Sequence, residues 1–254
     1  MMNGLQKLLL FFVLTFEQNA LGSQIIMGQK VEDNDMLYMV SVQNHLGHVC
    51  GGFLISDQFV LTAAHCDSVK PTSVVVGTHN LKVVDDEMRY GIKTCIPPSF
   101  VNVLKWNDIM LLKLSEKVQL GEKIQTVPLP KYEIKMKDKK ECRVAGWGLN
   151  RTLDVVFDLQ VVDVPIINPK VCKKAWKSLS KFFPDNILCA GGYGTEKGTC
   201  LGDFGGPLVC DGMAVGIMSL KRFGICNYPD LPNVYTDVSK FLPWINKILK
   251  QNGC

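Results

Sequence analysis

Short apolar segments separated by turn-forming residues are the feature that most restricts the fold of this chain. Apolar runs of roughly four to eight residues recur between Gly, Pro, Asn and Asp, a length that predicts β-strands. We find no heptad pattern, low-complexity tract or short repeat. With 254 residues, 47% of them hydrophobic and 20% charged, the chain can bury a substantial core. The sequence therefore predicts a mostly β protein.

Two elements in the C-terminal half are predicted in more detail. Asp211-Gly212 separates Pro207–Cys210 from Met213–Met218 and suits the positive φ angles of a two-residue hairpin turn. The last segment has apolar side chains at three- and four-residue spacing with lysines between them, which predicts an amphipathic helix. Its apolar positions are Phe241, Leu242, Ile245, Ile248 and Leu249. Pro243 falls in the first turn, where a missing N–H matters least.

The N-terminal segment has the parts of a secretory signal peptide. Lys7 precedes the apolar run Leu8–Leu14, and the small residues Ala20 and Gly22 suit a signal peptidase. The run is well short of the ~20 residues that a membrane-spanning helix needs. We therefore predict a signal peptide at residues 1–22 and a secreted or secretory-granule protein without a membrane span.

Ten cysteines and a small positive net charge narrow the functional classes. An even number of cysteines in the secretory pathway allows complete disulfide pairing, and the absence of a C-x-x-C pair argues against a metal site. We therefore expect no metal ion and no cofactor. A formal net charge of +4 is too small to indicate nucleic-acid binding. Lysines cluster at 135–140 and 170–181, where they form a solvated surface or contact sulfated glycans.

Seven sequence blocks together resemble the chymotrypsin-type serine peptidases. They are Ile25–Gly28, Cys50–Gly52, Leu61–Cys66, Asn107–Leu112, Val144–Gly148, Gly202–Pro207 and Pro232–Tyr235, in the family's order. Within the family the chain looks most like the granzymes and mast-cell proteases, through Gly52–Ile55, the Asn107–Leu112 block and the two-residue propeptide Ser23-Gln24. The resemblance implies an all-β fold of two packed six-stranded antiparallel β-barrels with a C-terminal α-helix. Residues 25–254 would form this peptidase domain.

The resemblance also implies a role for each residue of a catalytic triad. His65 would be the general base and Asp108 the carboxylate that orients it, with Ser219 hydrogen-bonded to Asp108. Phe204 stands where the family has the nucleophilic serine. A benzyl group has no lone pair to attack a carbonyl and no proton for His65 to remove. We expect its ring to point toward His65 and to block the position of a scissile carbonyl.

Neighbouring positions take the family's roles in activation and oxyanion binding. The backbone N–H groups of Gly202 and Phe204 would form the oxyanion hole. Asp203 would pair with the α-amino group of Ile25 once the Gln24–Ile25 bond is cut, and would thereby order the cleft. The activation switch is therefore expected to survive the loss of the nucleophile.

The family's specificity pocket maps onto Gly198, Ser219, Lys221 and Asn233. Gly198 at its base offers no counter-charge for a basic side chain. Lys221 occupies a position at the pocket entrance that is often glycine. Either the lysine favours acidic or polar groups, or it turns into solvent and the pocket is degenerate.

Family position also implies the disulfide pattern. The implied pairs are Cys50–Cys66, Cys142–Cys210, Cys172–Cys189 and Cys200–Cys226. The last of them would tie the Phe204 loop to the pocket wall, and typical granzymes lack it. Cys95 and Cys254 remain, and a fifth bridge between them is open because the C-terminal helix of this fold packs across the N-terminal half. Asn150 lies in the only N-glycosylation acceptor pattern.

Three functions are consistent with these observations. The first is a secreted, non-catalytic and monomeric binder whose cleft takes protein or peptide ligands, serine protease inhibitors or sulfated glycans. The second is an active granzyme-like endopeptidase in which Phe204 is a sequence error or variant, since phenylalanine and serine codons differ by one base. The intact His65, Asp108 and Asp203 favour it. The third, a disulfide scaffold, accounts for the cysteines but not for His65 and Asp108.

Overall fold

The structure of the protein is a computed structural model that describes residues 28–103, 106–149, 156–177, 183–221 and 231–254. Its strands are β1 (Gln29–Lys30), β2 (Met39–Asn44), β3 (Gly47–Leu54), β4 (Phe59–Thr62), β5 (Ser73–Val75), β6 (Arg89–Cys95), β7 (Met110–Leu114), β8 (Glu141–Gly146), β9 (Gln160–Pro165), β10 (Ile187–Ala190), β11 (Pro207–Cys210), β12 (Met213–Leu220) and β13 (Asn233–Asp237). Its α-helices are α1 (Pro169–Ala175) and α2 (Leu242–Gln251). The predicted signal peptide and propeptide, together with Ile25, Asn150 and Cys226, lie outside the described residues.

The N-terminal half is a closed antiparallel barrel with the strand order β2-β3-β4-β7-β6-β5. Pairing of β2 with both β3 and β5 closes it, so no strand edge is left open. Phe53, Leu61, Leu111 and Leu112 fill its interior and are fully buried. These apolar and β-branched segments form strands because each can bury one face in the barrel and pair along both edges.

The C-terminal half is a seven-stranded antiparallel sheet in the order β1-β9-β8-β11-β12-β13-β10. A bridge between Ile166 and Ala190 brings the end of β9 beside β10, so the sheet curls on itself. The predicted chymotrypsin-like, strand-rich fold is confirmed, but the second half is a seven-stranded sheet where a second six-stranded barrel was expected. The exposed strand β1 pairs with β9 and adds a seventh member, which its two-residue length did not reveal in the sequence.

The hairpin and the terminal helix are both confirmed. Asp211 and Gly212 have φ angles of 49° and 75° between β11 and β12, as the two-residue turn requires. Helix α2 buries Ile245 and Ile248 against the core of the first barrel. The chain therefore returns to its N-terminal half at its C-terminus. Within the described residues, neither α-helix has the length and apolar character needed to cross a membrane.

Four disulfides join described residues. They are Cys50–Cys66, Cys95–Cys254, Cys142–Cys210 and Cys172–Cys189. The Cys95–Cys254 bridge fastens the chain end beyond α2 to strand β6. Cys200 is also disulfide-bonded, and its expected partner Cys226 lies outside the described residues.

The two halves meet around Phe204. Its ring packs against the core of the barrel and against the core of the second sheet. The N–H of Gly51 in β3 donates to the Phe204 carbonyl at 2.7 Å. A Cβ on Gly51 would lie 3.1 Å from Gly206 Cα, so the two backbones approach closely at this point and a larger residue would require Gly206 to shift. The fold therefore places the 199–206 loop at the junction of the halves.

Candidate active site

His65 and Asp108 are brought together by the barrel. β4 ends at Thr62, and the 3₁₀ turn Ala64–Val69 that follows presents His65 at the junction. Asp108 lies two residues before β7, the strand that pairs with β4. His65 Nδ1 lies 2.7 Å from Asp108 Oδ2, and the His65 backbone N–H donates to Oδ1 at 2.8 Å. The carboxylate therefore holds both the ring and the backbone of the histidine.

The Asp108 carboxylate is fully buried and satisfied by hydrogen bonds. Asp108 is 0% exposed, and Ser219 in β12 donates its hydroxyl to Oδ2 at 2.6 Å. The Thr236 hydroxyl donates to the Asp108 carbonyl at 2.8 Å. Since a carboxylate only accepts, the neutral His65 ring donates from Nδ1 and keeps its acceptor lone pair on Nε2. That is the tautomer a general base requires.

The Phe204 ring stands against the His65 ring. The ring centroids are 5.1 Å apart and the planes meet at 86°, an edge-to-face contact of the kind aromatic pairs prefer. Phe204 is half-buried, because it also packs on both cores. The next residue, Gly205, has a φ of 81°, and a Cβ there would overlap the Thr62 hydroxyl. Glycine is therefore required at position 205, and the neighbouring aromatic ring faces the histidine.

Asp203, the residue before Phe204 in this loop, is only 1% exposed. Its carboxylate accepts hydrogen bonds from the backbone N–H groups of Gly148 and Cys200 at 2.8 and 2.6 Å. Burial raises the pKa of Asp203 to about 6, while the two backbone donors and the charge of Lys221 pull the pKa down. The carboxyl group is therefore ionised at neutral pH despite its burial.

A half-buried histidine that the sequence analysis missed also holds the loop. His48 Nε2 lies 3.0 Å from the Gly202 carbonyl, and Nδ1 lies 2.8 Å from the Ser41 hydroxyl, which accepts from Gln43 Nε2 at 3.0 Å. Burial lowers the pKa of His48 to about 4, so the ring is neutral and donates from Nε2. Nothing in the sequence links these positions to residue 202, because the contact joins residues 154 apart.

The four predicted pocket residues lie on or beside adjoining strands. Ser219 is in β12, Lys221 follows that strand directly, and Asn233 begins β13, which pairs with β12. Gly198 is buried. The next residue, Thr199, contacts β12 through its hydroxyl, which lies 3.3 Å from Met218 Sδ. Lys221 is 3% exposed, so its side chain does not turn into solvent.

One group of potential metal ligands occurs among the described residues. Ligand atoms of Cys50, His65 and Cys66 lie within 4.8 Å of one another. The two cysteines are joined by a 2.03 Å S–S bond, however, and offer no thiolate. Within the described part of the chain, this cluster is therefore a disulfide beside a histidine and not a metal centre.

The Ser219 hydrogen bond is expected to contribute measurably to stability. Ser219→Ala would leave the buried Asp108 carboxylate one donor short, and the free energy of unfolding should fall by about 1–3 kcal/mol. Urea denaturation at pH 7 followed by fluorescence measures the change. The exposed Ser115→Ala is the matched control, with an expected change below about 0.5 kcal/mol. Equal effects of the two substitutions would contradict the role given to Ser219.

Comparisons of the sequence and the fold with known proteins identify serine peptidases as relatives. The family model described as Trypsin matches residues 25–245. Mast cell protease 8 from Mus musculus is 37% identical over 96% of this chain and 97% of its own length. Granzyme-like protein 2 from Rattus norvegicus is 35% identical over 95% and 96%. Among solved structures, neuropsin, a serine protease of mouse brain, superposes with a TM-score of 0.79 at 30% identity, covering 88% of this chain and 99% of that one.

Proposed function

Because the chain belongs to the trypsin family of serine peptidases, we propose that it is a secreted, granzyme-like member that binds ligands in its cleft without hydrolysing them. The observation that carries the proposal is the Phe204 ring, 5.1 Å from the His65 ring, where the family places a serine hydroxyl. Relatives named granzyme-like protein and mast cell protease, together with the disulfides, support a secreted or granule location.

The proposed loss of activity follows from the chemistry of acyl transfer. The family's reaction begins when an oxygen attacks the carbonyl while a histidine removes its proton. Phe204 supplies neither the oxygen nor the proton, and its ring fills the space beside His65 that the carbonyl would need. The Ser219 hydroxyl already donates to Asp108 at 2.6 Å, so Ser219 cannot replace the missing nucleophile. No covalent acyl intermediate is therefore expected.

Retention of the surrounding machinery supports a binding role for the cleft. The His65–Asp108 pair is closed at 2.7 Å, and the 199–206 loop is fixed through Asp203 and through His48. A cleft that keeps this order can dock a protein segment, a peptide or a serine protease inhibitor as a rigid surface, with little conformational entropy to lose. We propose such ligands, bound reversibly by a monomer that needs no cofactor.

An active endopeptidase is the second candidate. The His65 and Asp108 geometry favours it, because that geometry is the one a working triad uses. This function requires serine at position 204 in the natural chain. Resequencing codon 204 separates the two candidates before any protein is made.

The wild-type protein provides the direct test. A purified form beginning at Ile25 would be incubated with a fluorophosphonate probe and with a mixed peptide library, beside an active peptidase of the same family. We expect no labelling and no cleavage by this protein, because both need a hydroxyl nucleophile at the site. Labelling that is lost on His65→Ala, or cleavage above the buffer blank, would overturn the non-catalytic proposal.

A further inference from the structure

The turn that carries Asp108 has an unfavourable backbone conformation. Trp106 and Asn107 have φ angles of 67° and 58°, so two consecutive residues other than glycine lie in the left-handed region. Asparagine tolerates that region, but a bulky tryptophan seldom adopts it. The Ile109 N–H donates to the Asn107 carbonyl at 2.9 Å and closes a tight turn around Asp108. Because such a conformation persists only where its surroundings impose it, contacts from outside the turn must hold it.

Packing of the indole ring holds the first of these two residues. Trp106 is 6% exposed and belongs to a core cluster with Trp176, Leu220 and Val234 of the C-terminal half. Its ring meets the Phe183 ring edge to face, with the centroids 5.2 Å apart. A tryptophan that precedes a strand of the barrel is therefore buried among side chains of the opposite half.

A pair of asparagine carboxamides holds the second residue. Asn186, the residue before β10, donates from Nδ2 to Asn107 Oδ1 at 2.5 Å. Asn107 Nδ2 in turn donates to the Ser99 carbonyl at 3.1 Å. The Asn107 carboxamide is therefore engaged through both its acceptor and its donor, and these bonds fix the orientation of the side chain relative to both halves of the molecule.

Asn186 is itself fixed to the strand that contacts Asp108. The Asp237 N–H at the end of β13 donates to the Asn186 carbonyl at 3.0 Å. The preceding residue, Thr236, donates its hydroxyl to the Asp108 carbonyl at 2.8 Å. The second sheet therefore holds the turn at two adjoining points, one at the Asp108 carbonyl and one at the Asn107 carboxamide.

We infer that Asn186 is a positioning residue whose carboxamide holds Asn107 in the left-handed conformation and thereby keeps the Asp108 carboxylate bonded to His65. Without that carboxamide the Asn107 backbone can relax toward negative φ, and this rotation displaces the residue that follows. The 2.7 Å contact between Asp108 Oδ2 and His65 Nδ1 then depends on a side chain of the opposite half that acts through Asn107. This role does not depend on whether the cleft binds ligands or hydrolyses them.

Nuclear magnetic resonance of the His65 ring tests the inference without any assay of activity. In protein beginning at Ile25 and containing isotopically labelled histidine, the proton on His65 Nδ1 reports the bond to Asp108, and His65→Ala assigns its resonance. Asn186→Ala removes the carboxamide donor, and Asn186→Asp removes it with little change of shape. We expect both variants to accelerate exchange of this proton with water about tenfold, because the loss of one buried hydrogen bond shifts a local opening equilibrium by about that factor.

Two further variants separate positioning from a general loss of stability. Asn80→Ala removes a side chain that accepts from the Lys82 N–H at 2.8 Å, and it should leave exchange of the His65 proton unchanged. Asn107→Gly keeps access to positive φ but lacks the carboxamide. It should match Asn186→Ala, and the double variant should be no worse than either single one, because both remove the same hydrogen bond.

Three results would overturn the inference. The Asn186 variants could lower the thermal midpoint yet exchange the His65 proton like wild type, which would make Asn186 a purely structural residue. The effects of Asn107→Gly and Asn186→Ala could add, which would mean that the two side chains act independently. Asn80→Ala could accelerate the exchange as much as Asn186→Ala, which would make the effect non-specific. None of these results would bear on whether Phe204 prevents catalysis.

Discussion

Phe204→Ser is expected to make the protein react with a fluorophosphonate and hydrolyse peptide bonds at least about 10³-fold faster than the wild type. The expectation rests on the geometry around position 204, where His65 Nδ1 is held 2.7 Å from Asp108 and the loop is fixed by hydrogen bonds. A serine there needs only to be deprotonated by a histidine that already has the correct tautomer. Probe labelling and a fluorogenic peptide library measure the gain.

Two matched variants make the result interpretable. Phe204→Ala opens the same space without adding a hydroxyl, so it should remain inert, and Phe204→Ser with His65→Ala should lose nearly all labelling. Both serine and alanine remove a ring that packs on two cores, and each should lower the free energy of unfolding by about 2–4 kcal/mol. Circular dichroism would establish that the variants are folded.

A folded but inert Phe204→Ser protein would contradict the view that one residue accounts for the proposed loss of catalysis. The probe and the peptide library then give different information. Labelling without peptide cleavage would locate the defect in the predicted substrate pocket, to which Lys221 was assigned by resemblance. Absence of both would place the defect in the 199–206 loop, where the backbone N–H groups of Gly202 and Phe204 are the predicted oxyanion hole.

Much of the fold was predictable because the sequence patterns that indicate it are local, or are blocks that follow one another in the same order as in the peptidase family. Asp211-Gly212 specifies its turn through backbone preference alone, and the structure gives both residues the positive φ that was expected. The apolar spacing before Leu249 predicts α2 in the same way. The association of His65 with Asp108 came from resemblance, since no local rule joins residues 43 apart in the chain.

What escaped prediction depends on contacts between distant segments. Strand β1 is two exposed residues that become a strand only by pairing with β9. The chain of hydrogen bonds from Gln43 through Ser41 and His48 to Gly202 crosses from the barrel to the loop. The burial of Lys221, which is 3% exposed, also escaped prediction, because lysine is ordinarily exposed and its residue type alone gives no sign of burial.

Loss of the Cys95–Cys254 bridge is expected to be the most destabilising change to the disulfide framework described here. The bridge closes a sequence separation of 159 residues, whereas Cys172–Cys189 closes 17. In the chain-entropy treatment these loops correspond to about 5 and about 3 kcal/mol of stabilisation. Replacing each pair with two alanines should therefore cost about 2 kcal/mol more for the longer loop. Guanidinium denaturation under non-reducing conditions measures both.

The comparison also tests how the C-terminal helix is attached. Helix α2 buries Ile245 and Ile248 in the first barrel, so the native fold should persist when the Cys95–Cys254 bridge is removed. The loss would then come from the greater freedom of the unfolded chain, and the native amide-exchange pattern of α2 should change little. If α2 instead detaches, the helix depends on the disulfide for its docking. If the two double variants lose equal stability, the entropic explanation is wrong.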